Sequence, residues 1–293
     1  MTARRRLVRV PASSANLGPG YDVLAAALSL HLELEVEEAG TFSVEAEGLE
    51  VPLDRSNLCV RAFEWLRPAD EICFRIRSDI PLATGMGSSA AAIVAGLTAA
   101  DHLYELALES SDLLGHAAEI EGHPDNVAAA LYGGFVVCSH SQAGLSATLL
   151  DPPQGVEAVV VIPHEQVPTK QAREAIPDSV PIEDAVVNVA AAAELVLGIE
   201  RSDLGLIAAG LADRLHQPNR AHLYPRSMEL VEAAAIELGA IGATISGAGP
   251  TVLVWCFWQS TGTVVDALRE RVGDWAEVKR VPFSATGADV PEL

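Results

Sequence analysis

The chain has 293 residues, 49% of them hydrophobic, and a mean hydropathy of +0.25, enough for one large core or two ordinary ones. Nineteen Lys and Arg against 40 Asp and Glu leave a formal net charge of −21, which repels nucleic acid and anionic membranes and leaves a small molecule or another protein as partner. No uninterrupted apolar run reaches the roughly 18 residues of a membrane span, and four scattered cysteines (Cys59, Cys73, Cys138, Cys256) without a C-x-x-C pair exclude zinc and a disulfide framework, leaving buried thiols in a cytoplasmic protein.

The N-terminal MTARRRLVRVPASS is basic but has no apolar stretch of the length a secretion signal needs. In PASSANLGPGYDVLAAAL (11–28), Asn16 and Asp22 flank the tight turn LGPGY, which enters small residues with a helical pattern. Leu32–Glu38 and Ile72–Ser78 alternate apolar and polar side chains, as half-buried strands do. PLATGMGSSAA (81–91) leads from a strand into Ser88–Leu108, an Ala, Ile, Val and Leu run too long for a strand. AAEIEGHPDNVAAALYGGF (117–135) crowds Glu119, Glu121, His123, Asp125 and Asn126 ahead of another apolar helix. Phe135–Ser139 and Val156–Ile162 return to strand character, and Pro163–Pro181 reads as a loop-rich stretch. Helical patterns follow at Asp184–Ile199, Asp203–Leu215, Arg226–Leu238 and Thr263–Val272, with a strand, glycine turn and strand in GATISGAGPTVLVW (242–255). Strands and helices without a βαβα rhythm predict an α+β fold, divided near residue 150 at the DPPQG turn.

Gly85 and Gly87 permit left-handed backbone or close approach, and the hydroxyls of Ser88 and Ser89 open a helix. Such a loop either cradles a phosphate or is a glycine turn with a serine cap. No lysine follows the glycines, so the Walker A pattern is excluded, and GSSAA is a degenerate nucleophile elbow at best. Between Ser78 and Thr169 there is no Lys or Arg at all, against eleven Asp and Glu. A phosphate bound there must rely on backbone N–H groups, a helix N-terminus and a divalent metal. Asn16 and Asp22 either form an Asx-rich turn or hold hydroxyl and ammonium groups. The carboxylates around His123 lack zinc-protease spacing but suit the hard oxygen ligation of Mg2+. Thr169, Lys170, Arg173 and Arg220 bring a hydroxyl and the cations that the chain from Ser78 to Thr169 lacks, either as surface residues or as anion ligands.

Together these stretches resemble the GHMP small-molecule kinases, and within them the branch that acts on homoserine. PLATGMGSSAA is similar to the family's phosphate loop and ISGAGPT (245–251) to its third motif. SANLGPGYD, EGHPDN, PTKQAR and LHQPNR are similar to segments of that branch. The resemblance implies an N-terminal S5-like nucleotide-binding domain over 1–150 with a left-handed βαβ unit, and a ferredoxin-like domain over 151–293. It implies ATP and Mg2+ as cofactors, L-homoserine as substrate, and O-phospho-L-homoserine as a product in threonine biosynthesis. Pro81, Leu82, Ala83, Thr84, Gly85, Met86, Gly87, Ser88, Ser89, Ala90 and Ala91 then form the phosphate loop, and Asn57 meets adenine. Ser89 (or Ser88) and Glu121 (or Glu119) hold the metal. Asn16, Asp22, His123, Asn126, Arg173 and Arg220 bind homoserine, and Thr169 lies near the transferred phosphate; Asn126, Thr169 and Arg173 are the catalytic candidates. At Asn126 other branches carry an aspartate, and asparagine cannot accept a proton at neutral pH, so this chain lacks a strong base there. The alternatives are a GHMP kinase with another hydroxylated acceptor and a non-catalytic nucleotide sensor. A homodimer is compatible with all three.

Overall fold

In the computed structural model, which describes residues 3–142 and 144–292, strand β1 (Arg5–Ala15) pairs antiparallel with β2 (Leu24–Glu38). Strand β3 (Ser43–Ala46) runs parallel to β4 (Ile72–Ser78), and helix α1 (Leu58–Leu66) connects them. Helices α2 (Ser88–Tyr104), α3 (Ser110–Glu121) and α4 (Asp125–Tyr132) precede the antiparallel pair β5 (Phe135–Ser141) and β6 (Gly144–Leu150). These strands form one sheet in the order β3-β4-β2-β5-β6, with β1 also paired to β2.

In the outer half of β2, Leu32, Leu34 and Val36 are buried, while Glu35 and Glu37 between them accept hydrogen bonds from Arg75 on β4. The inner half corrects the helical expectation for VLAAAL. Leu24–Leu28 are all buried and pair with β1 on one side and β5 on the other, so tertiary pairing overrides alanine's preference for helix. Their small side chains let α2 and α4 lie on the sheet. Helix α2 is buried from Ala90 to Asp101, which is why its sequence has no polar face. It stops at Tyr104 rather than Leu108: the buried Asp101 carboxylate accepts the Leu108 N–H, and Glu105 turns left-handed.

The second half folds around β7 (Val156–Pro163). Helices α5 (Thr169–Glu174), α6 (Ile182–Arg201), α7 (Leu204–Ala209), α8 (Gln217–Arg220) and α9 (Pro225–Glu237) lead to the antiparallel pair β8 (Gly242–Ile245) and β9 (Val252–Phe257). Helix α10 (Thr261–Val272) then leads to β10 (Ala276–Arg280). The antiparallel sheet has the order β10-β7-β9-β8, a ferredoxin-like arrangement with helices inserted after its first strand. Two expectations change here. Helix α5 lies inside the stretch read as loop, and the helix expected over Asp203–Leu215 ends at Ala209. There the Asp213 carboxylate draws the N–H groups of Leu215, His216 and Gln217 into a separate turn.

Both faces of the second sheet are covered, as the VVVI run of β7 requires. Ala158, Val160 and Ile162 join the core of the first sheet, whereas Val159 and Val161 face the core built with α9 and α10. Phe135, Trp255 and Phe283 meet between the sheets, with ring centroids between 4.7 and 5.7 Å apart. Strand β6 ends at Leu150 and β7 opens on the other sheet. The last residues return to the first sheet, where Ser284 N–H and Asp289 N–H donate to Ala27 O and Arg9 O. All four cysteines are buried and free. No helix among the described residues is long and apolar enough to cross a membrane.

A glycine lets α2 approach α1 closely. A Cβ at Gly96 of α2 would stand 2.2 Å from Cys59 O and 2.8 Å from Ala62 Cβ on α1. Gly96→Ala is expected to lower stability by about 1–3 kcal/mol through overpacking alone, read as a fall in the urea midpoint at constant m. An unchanged midpoint would mean that α1 retreats without loss.

Candidate active site

The glycine loop lies backbone to backbone on the turn over 245–251. Gly85 has φ +87°, and a Cβ there would stand 2.3 Å from Ser246 O. Ser246 Oγ donates to Gly85 O at 2.7 Å, and Thr251 N–H donates to Thr84 O at 3.3 Å. Gly87, at φ 68°, is the N-cap of α2, and no side chain caps the first turn. The serine-cap alternative therefore fails: Ser89 Oγ instead lies 2.5 Å from both carboxylate oxygens of Glu121. The first N–H groups of α2, with the positive end of its dipole, are left for a ligand.

Glu121 closes α3 and Asp125 opens α4, with a left-handed Gly122 between them. His123 Nδ1 lies 2.6 Å from Asp125 Oδ1, and its Nε2 is 3.8 Å from Glu121. Burial pushes the His123 pKa down, but the hydrogen bond and charge of Asp125, joined by Glu121, outweigh it and raise the pKa above the ordinary value. Glu119, one turn-edge away, is exposed. Asn126 Oδ1 accepts from Ser13 Oγ at 2.8 Å, so the group it can offer a ligand is its amide N–H.

From the second half come the cations. Arg173 on α5 forks onto Asp22 at 2.9 and 3.1 Å and donates to Tyr21 Oη at 3.1 Å. Arg220 on α8 is only 2% exposed. It donates from Nε to Ala172 O at 2.8 Å and from one amino group toward His216 Nδ1 and Gly247 O, both at 3.3 Å. Both guanidiniums sit near the Tyr21 ring, at 5.8 and 5.3 Å from its centroid. Asn16 joins the halves: its Nδ2 donates to Gly247 O at 2.8 Å, and its Oδ1 accepts the Asp22 N–H at 3.0 Å.

These groups line one cleft that opens to solvent. It gathers Asn16, Asp22, Pro81, Ala83, Thr84, Gly85, Met86, Gly87, Ser88, Ser89, Glu121, His123, Asn126, Thr169, Arg173 and Arg220. Leu82 faces a neighbouring groove, and Ala90 and Ala91 are core residues of α2. Asn57 is also outside the lining. It is the N-cap of α1, with Oδ1 accepting from Cys59 N–H and Nδ2 donating to Pro52 O.

The family model for the GHMP kinases N terminal domain matches residues 57–134, and that for the GHMP kinases C terminal matches residues 193–276. A homoserine kinase of Thermus thermophilus is 44% identical over 254 residues, 83% of this chain and 84% of its own. One of Moorella thermoacetica is 39% identical over 259 residues, 85% and 87% of the two chains. The chain belongs to the GHMP kinase family, in its homoserine kinase branch. The crystal structure of homoserine kinase from Cytophaga hutchinsonii superposes with a TM-score of 0.87 at 28% identity, over 98% of each chain. Mevalonate kinase of L. major, at a TM-score of 0.70 and 15% identity, shares the fold alone.

In and behind this cleft, sequence reasoning passed over Tyr21, which lines it, and Ser13 and His216, which are buried behind it. The hydroxyl of Ser13 is buried in β1 and reveals itself only through Asn126, while His216 touches no solvent and stands behind Arg220. His216 Nε2 lies 2.8 Å from Gly18 O, so the ring donates there and accepts at Nδ1 from Arg220. Burial lowers its pKa, and the positive charge of Arg220 adds to the effect against the opposing Asp213. The folded state thus keeps His216 neutral while the unfolded chain protonates it near pH 6.5. This contribution to stability is full above about pH 6.5 and is lost as pH falls toward the folded pKa, with a slope of at most about 1.4 kcal/mol per pH unit. His216→Gln is expected to flatten the pH dependence of the unfolding free energy below about pH 6.5. Parallel curves for wild type and variant would mean that the folded protein holds a charged His216.

Proposed function

We propose that this protein transfers the γ-phosphoryl group of ATP to the side-chain hydroxyl of L-homoserine, giving ADP and O-phospho-L-homoserine for threonine biosynthesis. The observation that carries the reading is the Arg173–Asp22 fork beside the uncapped N-terminus of α2. A guanidinium and a carboxylate held against each other are the complement of an amino acid's α-carboxylate and α-ammonium. A zwitterion enters by exchanging that internal pair for two external ones. The identity to homoserine kinases over most of the chain supports the same acceptor. Buried free thiols suit a reducing interior, and we place the enzyme in the cytoplasm.

The residues present fit the magnesium nucleotide that such a reaction needs. Ser89 Oγ and the Glu121 carboxylate are hard oxygen donors brought together at the start of α2, the donor set Mg2+ prefers. Held by Ser89 and Glu121, the metal would supply positive charge to offset that of the nucleotide phosphates. The protein's own part begins with the loop over 81–89, whose backbone amides and helix N-terminus hold phosphate without a lysine. Asp22 takes the acceptor's ammonium, and Arg173 with the remaining amino group of Arg220 takes its carboxylate. Arg220 serves as a single prong, because Nε and one amino group are already committed to Ala172, His216 and Gly247. Asn126 offers an N–H to the acceptor oxygen or the phosphoryl group, and Thr169 lies near the transferred phosphate. The bond from phosphorus to the bridging oxygen of ADP breaks as the new P–O bond forms. With a loose transition state the hydroxyl proton leaves late, passing to an oxygen of the transferred phosphoryl group and from there to water, and positioning supplies most of the rate.

Release of ADP from MgATP, compared across homoserine, mevalonate, galactose and shikimate, tests the reading. Turnover with homoserine alone is expected. Preference for another acceptor assigns a different kinase, and nucleotide binding without turnover leaves a sensor. Glu121→Gln is expected to lower kcat sharply and to move the Mg2+ titration at least about 10-fold higher, with little change in homoserine KM. If Glu119→Gln does this instead, the metal assignment is wrong by two residues. Arg220→Ala leaves a desolvated carboxylate short of a partner, a loss of roughly 2–5 kcal/mol, so kcat/KM for homoserine should fall by about 30-fold to several thousand-fold. The KM for ATP should hardly move. Weakened ATP binding with an unchanged homoserine KM would assign Arg220 to the nucleotide.

A further inference from the structure

Arg173 stands on a helix that does little to fix it. Helix α5 has six residues, of which only Ala172 is buried, and the Arg173 side chain is 37% exposed. Its anchors come from the first half of the chain. One terminal nitrogen, which carries two N–H groups, donates to Asp22 Oδ2 and to Tyr21 Oη, both at 3.1 Å. The other donates to Asp22 Oδ1 at 2.9 Å. The Tyr21 hydroxyl thus engages an N–H that the carboxylate fork leaves over. Burial and the charge of Asp22 raise the Tyr21 pKa against the pull of both arginines, so the phenol stays neutral and its oxygen accepts. The ring itself is held from behind. It lies 5.6 Å from the ring of His216, tilted by 33°, and His216 is buried and bonded to Gly18 O of the same loop as Tyr21. Arg173 and Arg220 come within 5.8 and 5.3 Å of its centroid. One aromatic ring therefore attracts two guanidinium groups that repel each other.

We propose that Tyr21 is a positioning residue for the acceptor, holding Arg173 in place while Asp22 releases it. This rests on the proposed exchange of the Asp22–Arg173 pair for a zwitterionic acceptor. Before the exchange, the fork already carries Arg173 and the bond to Tyr21 is redundant. After it, Asp22 faces an ammonium and the two N–H groups of the fork face a carboxylate. Tyr21 Oη is then the one protein acceptor left to the Arg173 guanidinium among the described residues. The bond counts for more with acceptor bound than without, so it acts on affinity. Without it, the acceptor alone would have to order a long, half-exposed side chain, and its binding would weaken by that cost. The carboxylate lies at the far end of the acceptor from the hydroxyl that reacts, so the effect falls on KM and spares kcat.

Steady-state kinetics of Tyr21→Phe, which keeps the ring and loses only the hydroxyl, gives the test. The KM for homoserine should rise about 10-fold or more, with kcat within about twofold of wild type and the KM for ATP unmoved. Tyr21→Leu, which loses the ring as well, should raise it further. The effect should vanish in two settings. In an Arg173→Met background, Tyr21→Phe should change kcat/KM by less than about twofold, because the residue it acts through is gone. The inhibition constant of 3-amino-1-propanol, which keeps the ammonium and hydroxyl of homoserine and lacks the carboxylate, should be the same for wild type and Tyr21→Phe. A wild-type KM in Tyr21→Phe, a loss confined to kcat, full additivity with Arg173→Met, or a parallel shift for 3-amino-1-propanol would each overturn this inference while homoserine remains the acceptor. A wild type that does not turn over homoserine would overturn the acceptor assignment and this inference with it.

Discussion

The contact on which the cleft depends is a backbone laid on a backbone. The loop over 81–89 belongs to the first half of the chain and the turn over 245–251 to the second, and they meet at Gly85 and Gly247, with Ser246 Oγ donating to Gly85 O. Gly85 allows the approach to Ser246 O, and Gly247 in turn has φ +55°, with a built Cβ 3.1 Å from Gly85 O. Gly247 N–H donates to Ala15 O, and Gly247 O accepts from Asn16 and Arg220. One carbonyl thus ties Asn16 and the buried arginine to the turn that Ser246 Oγ and Thr251 N–H bind to the glycine loop. A side chain at Gly85 would part the loop from the turn, because the obstruction is backbone and cannot rotate away.

Around that contact the chain tolerates backbone that it avoids elsewhere. Of the seven non-glycine residues with left-handed φ among the described residues, Asn16, Leu17, Asp22 and Ala83 lie in the two loops that border the cleft. Such conformations are sparsely populated and persist where surrounding hydrogen bonds over-determine them. Here those bonds are visible: Asn16 is held through both ends of its amide, and Asp22 by its N–H and its carboxylate. The strain is thereby spent on fixing an amide and a carboxylate in a cleft whose first half has no cation to anchor them.

What could be read from the sequence follows the range of the interactions. Alternation in β2 and β4, the long apolar α2 and the glycine loop were legible because their causes lie within a few residues. The crowding of Glu121, His123 and Asn126 was legible for the same reason, since α3 and α4 meet at a single turn. VLAAAL misled because nothing local distinguishes an alanine-rich helix from an alanine-rich strand enclosed on both faces. The capping bond of Asn57 at the start of α1 is equally local. Ser13 and His216 were invisible for the opposite reason. Ser13 meets Asn126 across 113 positions of sequence and His216 meets Gly18 across 198, and neither has a neighbour in sequence that announces it.

The Ser13–Asn126 bond also bears on how the proton leaves. An asparagine amide has an acceptor end and a donor end, and Ser13 occupies the acceptor end. The close approach of Gly87, whose Cβ would strike Ser13 Oγ at 2.1 Å, packs that pair beneath the glycine loop. Ser13 thus engages the oxygen end of the Asn126 amide, and in the proposed reaction the N–H end would orient an oxygen but could not take a proton. Asp125, the neighbouring carboxylate, is committed to His123 and to the Asn126 N–H. In the proposed reaction, donors around the reacting oxygen would stabilise the charge that develops on the transferred phosphoryl group. In that arrangement the acidity of the hydroxyl matters little until the new bond is nearly formed, and a strong base would add a negative charge where the incoming phosphate already brings several.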